Sequence, residues 1–505
     1  MNKVSPVFWI SLVLAAIFVA WGAWSPETLS TYSGVAQSFL TGNFGWFYQL
    51  TVAIFVIFSI YLIFSPYGKL RLGQPDEKPE YNTITWFAML FSAGMGIGLV
   101  FWGSAEPLSH FANPPTGDAE TAEAAKKALR YATFHWGIHV WAIYTVIALA
   151  IAYFKFRRKA PGVISATFQP LLGDRVNGPF GKTIDVIAVF ATIFGVATSL
   201  GLGASQIGGG LSFISNIENN LMTKFIIIVI VTILFMISAW SGIGKGIKYL
   251  SNANIVLAVA LIALTLVLGP TVFIMDIFSS TIGGYIQNLP RMSFQMAPLS
   301  EQHNEWIQGW TVFYWAWFIA WSPFVGTFIA RVSKGRTIRE FVMGVLILPS
   351  AFSAFWFAVF GGTSLKQELD GTNTGLTDLP TEQALFGTLE GLPLGIVITV
   401  VAILLISTFF ITSADSATFV LGMQTTNGSL NPANSVKLTW GVIQAAIATV
   451  LLFSGGLNAL QTASIVSAFP FAIILLLMIV SLLKALKQDA AKVEKQQNSK
   501  QHTSA

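Results

Sequence analysis

The 505-residue sequence contains no cysteine, which excludes disulfides, thiolate metal centres and thiol nucleophiles. Charge is scarce as well. Only 10% of the residues are Asp, Glu, Lys or Arg against 54% apolar ones, too few to cover a soluble core of this size. Phosphate-binding loops are missing too. The segment Gly94-Met95-Gly96-Ile97-Gly98 sits in an apolar stretch with neither a following Gly-Lys pair nor a βαβ context, so nucleotide drive is not expected. The chain has few intramembrane polar rings of the kind a channel pore needs. A net charge of +5 is spread over the connectors rather than gathered into a nucleic-acid surface. Nothing points to an enzyme.

What the chain has is length in apolar runs. A helix needs roughly 20 apolar residues to cross about 30 Å of hydrocarbon. Such runs are read at 6–25, 44–65, 84–106, 132–154, 183–213, 222–240, 251–275, 308–330, 340–361, 393–414, 435–455 and 463–484, which makes twelve. An all-α membrane protein follows. Most of the 28 Lys and Arg fall in connectors on one side, and the positive-inside rule then places both termini in the cytoplasm. The first run follows only Lys3 and lacks a small-residue cleavage site, so it reads as a retained helix. One membrane domain, 1–483, precedes a polar tail, 484–505.

Two outer connectors carry extra signal. An Ala/Glu/Lys stretch within 107–130 suits a short surface helix, and Ile282, Ile286 and Leu289 within 276–307 suit an interfacial amphipathic one. The tail, with Lys484, Lys487, Lys492, Lys495 and Lys500, reads either as a helix on anionic lipid or as a frayed end. Thr337-x-x-Glu340 fits a capping box.

Two spans carry helix-weakening residues five spans apart: Gly94, Gly96 and Gly98 in the third, and Ser322-Pro323 with Gly326 in the eighth. Interior glycine weakens a helix by about 1 kcal/mol and proline by about 3, so both are expected points of unwinding, against the plainer readings of close packing and an ordinary kink. Inverted repeats place a substrate at such breaks. Around them lie aromatics: Trp136, Trp141 and Tyr144 on one side of the fourth span, and Trp315, Trp317, Phe318 and Trp321 in the eighth. π-Faces at one membrane depth suit a cation that has no hydrogen to donate, such as a quaternary ammonium. Glu106 and Asp415, near span ends, are expected to serve structure or gating rather than proton transfer. His135 and His139 share a helical face at i, i+4 with no third ligand nearby in sequence, so a metal site is not expected.

Five segments, in order, carry a resemblance: GMGIGLVFWGSAEPL (94–108), HWGIHVWAIY (135–144), SLGLGASQIGGGL (199–211), WSPFVGTFIARVSKGRTIREF (321–341) and FFITSADS (409–416). The chain resembles the betaine/carnitine/choline transporters over nearly its whole length and looks most similar to sodium-coupled glycine betaine carriers of Gram-positive bacteria. The resemblance implies a core like that of sodium-coupled amino-acid transporters, with two inverted five-helix repeats (84–483), two extra helices in front (6–65) and a homotrimer in the bacterial plasma membrane. It assigns Trp136, Trp141 and Tyr144 to an aromatic cage completed by Trp317, Phe318 and Trp321. Phe318 stands where the family has a second tryptophan.

A zwitterionic substrate's carboxylate would meet backbone N–H groups at Gly94, Met95, Gly96 and Gly98. Gly98 stands where choline-selective relatives carry an acid, which favours betaine over choline. Sodium is the implied coupling ion, with no other cofactor. The resemblance places it at Ser92, Met95, Phe409, Thr412 and Ser413, although a Thr-Ser pair also commonly bonds back to its own helix. A second position maps to Thr192, Val196 and Phe324, and Val196 brings no hydroxyl. Choline or carnitine carriers with proton coupling or exchange, a channel and an osmotic sensor are the competing readings.

Overall fold

The computed structural model describes residues 4–94, 96–241 and 244–503, with side chains described outside 91–95, 241–248 and 492–503. Helices α1 (Pro6–Trp24), α2 (Pro26–Phe64), α3 (Thr83–Gly94), α4 (Ile97–Ala112), α5 (Ala122–Trp136) and α6 (Ile138–Ala152) open the chain. A short α7 (Gln169–Leu172) leads to α8 (Pro179–Ile214), α9 (Leu221–Ser241), α10 (Gly244–Leu268) and α11 (Thr271–Ser293). Then follow α12 (Glu301–Ile307), α13 (Phe313–Val332), α14 (Ile338–Asp370), α15 (Ala384–Glu390), α16 (Gly395–Thr425) and α17 (Asn434–Thr503). Ten helical stretches among the described residues are long and apolar enough to cross a membrane.

Burial sorts these helices by environment. Every side chain of α6 from His139 to Ala152 is buried, and α13 is buried from Phe313 to Gly326, so these two lie at the centre. Gly326 lets them touch, because a Cβ there would lie 2.4 Å from Cγ2 of Ile147. In contrast, α1 exposes Trp9, Val13 and Ile17, and α9 exposes Ile230, Ile233 and Ile237. Apolar side chains facing outward on whole helices, with backbone groups satisfied within each helix, are what a lipid surface requires.

Several boundaries differ from the sequence reading. The helix α2 starts at Pro26, well before the expected apolar run, and α8 is one 36-residue helix. The Ala/Glu/Lys stretch is not a surface helix; it is the first turns of α5, whose Ala124, Ala128 and Leu129 face the core. The Thr121 hydroxyl accepts from the Ala124 N–H to cap it. The outer connector does form α11, but Thr281, Tyr285 and Met292 face inward while Ile286 is exposed. The Thr337–Glu340 capping box is formed and starts α14.

The tail is helical through Thr503 as the end of α17, and its start is docked rather than frayed. Asp489 accepts from Arg158 at 3.0 Å and from the Tyr153 hydroxyl at 2.7 Å, while Arg158 also bonds the Ala485 carbonyl at 2.8 Å. Within α17, Gly455 and Gly456 leave helical geometry; Gly456 has φ +59°, a value side chains with a Cβ rarely adopt.

Candidate functional site

The aromatic residues expected to meet do meet, though not on one helix. The fourth span breaks after Trp136, where Gly137 takes φ −94° and ψ −139° between α5 and α6. The break frees backbone groups that must find partners. The Ile138 N–H donates to the Tyr285 hydroxyl of α11 at 3.1 Å, and a Cβ on Gly137 would lie 2.8 Å from that hydroxyl oxygen. Trp136 therefore projects from the end of α5, and Trp141 and Tyr144 from the first turns of α6. Across from them, α13 supplies Trp317, Phe318 and Trp321.

The rings form one contiguous buried cluster. Trp136 meets Phe318 at 5.1 Å and Trp317 at 6.0 Å, both edge-to-face. Tyr144 meets Trp141 at 5.5 Å, Phe318 at 6.2 Å and Trp321 at 6.3 Å. Trp317 and Phe318 stack at 5.4 Å with planes 16° apart, so the phenylalanine keeps an aromatic face where a second tryptophan was expected.

The glycine break of the third span sits against this cluster. Gly96 is extended, with φ −144° and ψ −176°, and α4 begins at Ile97. A Cβ on Gly98 would lie 2.6 Å from Cη2 of Trp317 and 3.0 Å from Cη2 of Trp136; one on Gly96 would lie 3.3 Å from Cη2 of Trp321. The indoles thus rest on bare backbone at the N-terminus of α4, where first-turn N–H groups lack intrahelical acceptors. Gly94 closes α3, and Met95 lies outside the described residues, as does the side chain of Ser92.

The second expected unwinding is not found. The helix α13 runs unbroken through Ser322, Pro323 and Gly326. The Ser322 hydroxyl bonds the Ile319 carbonyl at 2.7 Å, Thr327 caps the Pro323 carbonyl at 2.7 Å, and Gly326 serves the close approach to α6. Packing on both sides holds the helix that proline weakens.

Behind the cage lies a cluster that sequence reasoning underrated. The Glu106 side chain is wholly buried, and four groups converge on its two oxygens. Oε2 accepts from the Tyr314 hydroxyl at 2.6 Å and from Trp136 Nε1 at 2.9 Å; Oε1 lies 2.7 Å from His135 Nδ1 and 3.2 Å from His110 Nε2. His135 and His139 both meet Trp315, at 6.0 and 5.3 Å, but bond different partners: His139 Nε2 meets the Ser293 hydroxyl at 2.8 Å while His135 turns to Glu106. The cluster that forms instead joins His135 to two groups of α4 and leaves His139 out: ligand atoms of Glu106, His110 and His135 lie within 4.8 Å of one another. The spacing of Glu106 and His110 at i, i+4 was the available signal.

Residues 6–491 match the profile described as "BCCT, betaine/carnitine/choline family transporter". The chain belongs to this family. It is 57% identical over 496 residues to the "Glycine betaine transporter OpuD" of Bacillus subtilis (strain 168), covering 98% of this chain and 97% of that one. It is 47% identical to a "Probable glycine betaine transporter" of Desulfitobacterium hafniense (97% and 98% covered) and 44% identical to an "Ectoine/hydroxyectoine transporter" of Virgibacillus pantothenticus (98% and 99% covered). This betaine/carnitine/choline family member is a multi-pass transporter and not an enzyme.

In this family member the hydroxyls of Thr412 and Thr192, read as ion ligands, are engaged with protein partners. On α16 the Thr412 hydroxyl bonds back to the carbonyls of Thr408 and Phe409, at 3.0 and 3.2 Å, and accepts from Asn254 Nδ2 at 3.0 Å. Oδ1 of Asn254 is buried without a hydrogen-bond partner, an oxygen the sequence did not single out. Ser413 follows, half-buried. On α8 the Thr192 hydroxyl donates to the Ala188 carbonyl at 2.8 Å and meets the Gln424 side chain at 3.3 Å, while Val196 is buried. Phe324 touches Trp321 at 5.7 Å and also lines a cavity of about 310 Å³. That cavity includes Lys155, Arg331, Asp415 and Lys437, so Asp415, which accepts from the Ser238 hydroxyl at 3.0 Å, faces a space next to the cage rather than a helix end.

Proposed function

We propose that this transporter imports glycine betaine by sodium symport and alternating access, as an osmoprotectant uptake system. One observation carries the reading: six aromatic rings cluster together, and three of their indoles, Trp136, Trp317 and Trp321, rest on Gly96 and Gly98 at the N-terminus of α4. A trimethylammonium group offers no N–H, so π-faces recognise it while hydrogen-bond acceptors do not. The carboxylate of the same molecule meets the N–H groups of Ile97 and Gly98 in the first turn of α4 and the positive end of its dipole. Choline lacks that anion, and glycine at 98 supplies none.

Sodium takes oxygen ligands, and the first ion is assigned to the Phe409–Thr412–Ser413 turn with Ser92 and Met95. The buried Oδ1 of Asn254 beside Thr412 supports an oxygen-rich site there. The second assignment, at Thr192 and Phe324, rests on one hydroxyl and one carbonyl. The cavity lined by Lys155, Arg331 and Lys437 fits a cytoplasmic exit, because basic residues mark the inner side. Counting α3–α4 and α5–α6 as one span each and α17 as two gives the twelve-span layout, with two inverted repeats after α1 and α2 and both termini cytoplasmic. The proposed assembly is a homotrimer in the plasma membrane, its basic tail touching anionic lipid.

Uptake of labelled betaine into proteoliposomes under imposed gradients tests the reading. Saturable uptake driven by an inward sodium gradient is expected; equal uptake in potassium refutes sodium coupling, and absence of betaine counterflow refutes the substrate.

A further inference from the structure

We infer that Glu106 is a positioning and specificity-determining residue that acts on the substrate through Trp136, holding the indole and placing a fixed negative charge behind the aromatic cage. The inference deepens the betaine reading and rests on it. An ionised carboxylate accepts only, with about four lone-pair sites. Here Tyr314, Trp136, His135 and His110 fill those sites from four directions. The His135 ring is held at both nitrogens, Nδ1 2.7 Å from Glu106 and Nε2 2.9 Å from the Thr311 hydroxyl. No Lys or Arg stands among the four partners.

Trp136 connects this charge to the cage. Its Nε1–H meets the carboxylate at 2.9 Å, while its Cη2 edge lies 3.0 Å from where a Cβ on Gly98 would be. The indole therefore spans from the anion to the glycine break, and both Glu106 and Gly98 belong to α4. Two consequences follow. Hydrogen bonding to an anion increases electron density on the indole, which strengthens its attraction for a cation. An ammonium over the face of that indole also feels the carboxylate at its edge, in a site that water screens poorly. The transporter thus carries an anion for its cationic ligand one ring away, where it cannot be reached by the ligand and does not displace betaine's own carboxylate from α4.

The test separates charge from shape. Glycine betaine and its carbon isostere 3,3-dimethylbutanoate share size and carboxylate, but only betaine has the cation. Binding of each to the purified full-length transporter in sodium is measured by competition against labelled betaine. The parent protein is expected to prefer betaine. Glu106→Gln, which keeps the shape and can be accommodated by a change of His135 tautomer, is expected to weaken betaine about tenfold while dimethylbutanoate stays within about twofold. An equal loss for both ligands overturns the inference and reduces Glu106 to a structural role. If Glu106→Gln is not recovered folded, Glu106→Asp carries the test, because it withdraws the anion from Trp136: selective loss of betaine supports the inference, and equal or no loss overturns it. A parent protein that does not bind betaine, or binds both ligands alike, refutes the betaine reading itself.

Discussion

Gly98→Ala is the sharpest probe of the site. The added methyl would lie 2.6 Å from Cη2 of Trp317 and 3.0 Å from Cη2 of Trp136, where ordinary carbon contacts are about 3.5 to 4.0 Å. The Trp317 ring must retreat by about 1 Å, yet it is stacked on Phe318 at 5.4 Å and on Phe313 at 5.7 Å, and its Nε1 bonds the Gly195 carbonyl at 3.4 Å. Overpacking of this kind costs about 1 to 3 kcal/mol. Because the strain falls on cage rings, the expected result is a rise in the apparent KM for betaine of about 5- to 100-fold, with a smaller loss of thermal stability. Trp317→Phe in the same chain removes the ring edge that collides, and the double variant should recover part of the affinity that Gly98→Ala loses. Initial uptake rates across betaine concentrations, with a melting scan of each purified variant, decide the matter. Unchanged KM in Gly98→Ala would show that the glycine–indole contact is not part of the substrate site.

Replacing Trp136, Trp141 or Trp321 by Leu keeps apolar bulk and removes a cation-π contribution of about 0.5 to 2 kcal/mol, so betaine affinity should fall several-fold in each; normal uptake by all three would discard the cage. Thr412→Ala and Ser413→Ala should raise the sodium concentration for half-maximal uptake more than the betaine KM, and an unchanged sodium curve would remove this turn from the ion site. Gly98→Asp places a fixed anion beside the indoles, but the same two rings obstruct it; betaine transport should collapse, and any retained transport should shift toward choline, which choline competition against labelled betaine measures. Deleting residues 488–505 removes Asp489 and with it the contacts to Arg158 and Tyr153 at 3.0 and 2.7 Å, and should shift the dependence of uptake on osmolality; an identical curve would exclude the docked tail as a regulator.

How much of the site was legible follows from the range over which each cause acts. Apolar length sets membrane helices locally, so runs such as 183–213 and 222–240 closely match α8 and α9. The capping box at Thr337 is equally local, since its partners are three residues apart. The glycine break at 94–98 also showed itself, because three of its five residues are glycines, which favour the helix least after proline. Pro323 and Gly326 carried a similar local signal and gave the opposite result. Their helix is held by α6 and by hydroxyl bonds from Ser322 and Thr327, which no local rule weighs.

By itself the sequence determined the membrane setting, the helical class, the family and which aromatic side chains cluster, since composition and motif spacing encode these directly. Only the tertiary structure decided where Trp136 points, because the hydroxyl of Tyr285, 147 residues from Ile138, accepts the N–H freed by the break at Gly137. It also decided what lies behind that indole. Glu106, His135 and Tyr314 are separated by 29 and 208 residues from the carboxylate's viewpoint, and a buried anion finds its donors wherever packing brings them, not where the chain is contiguous.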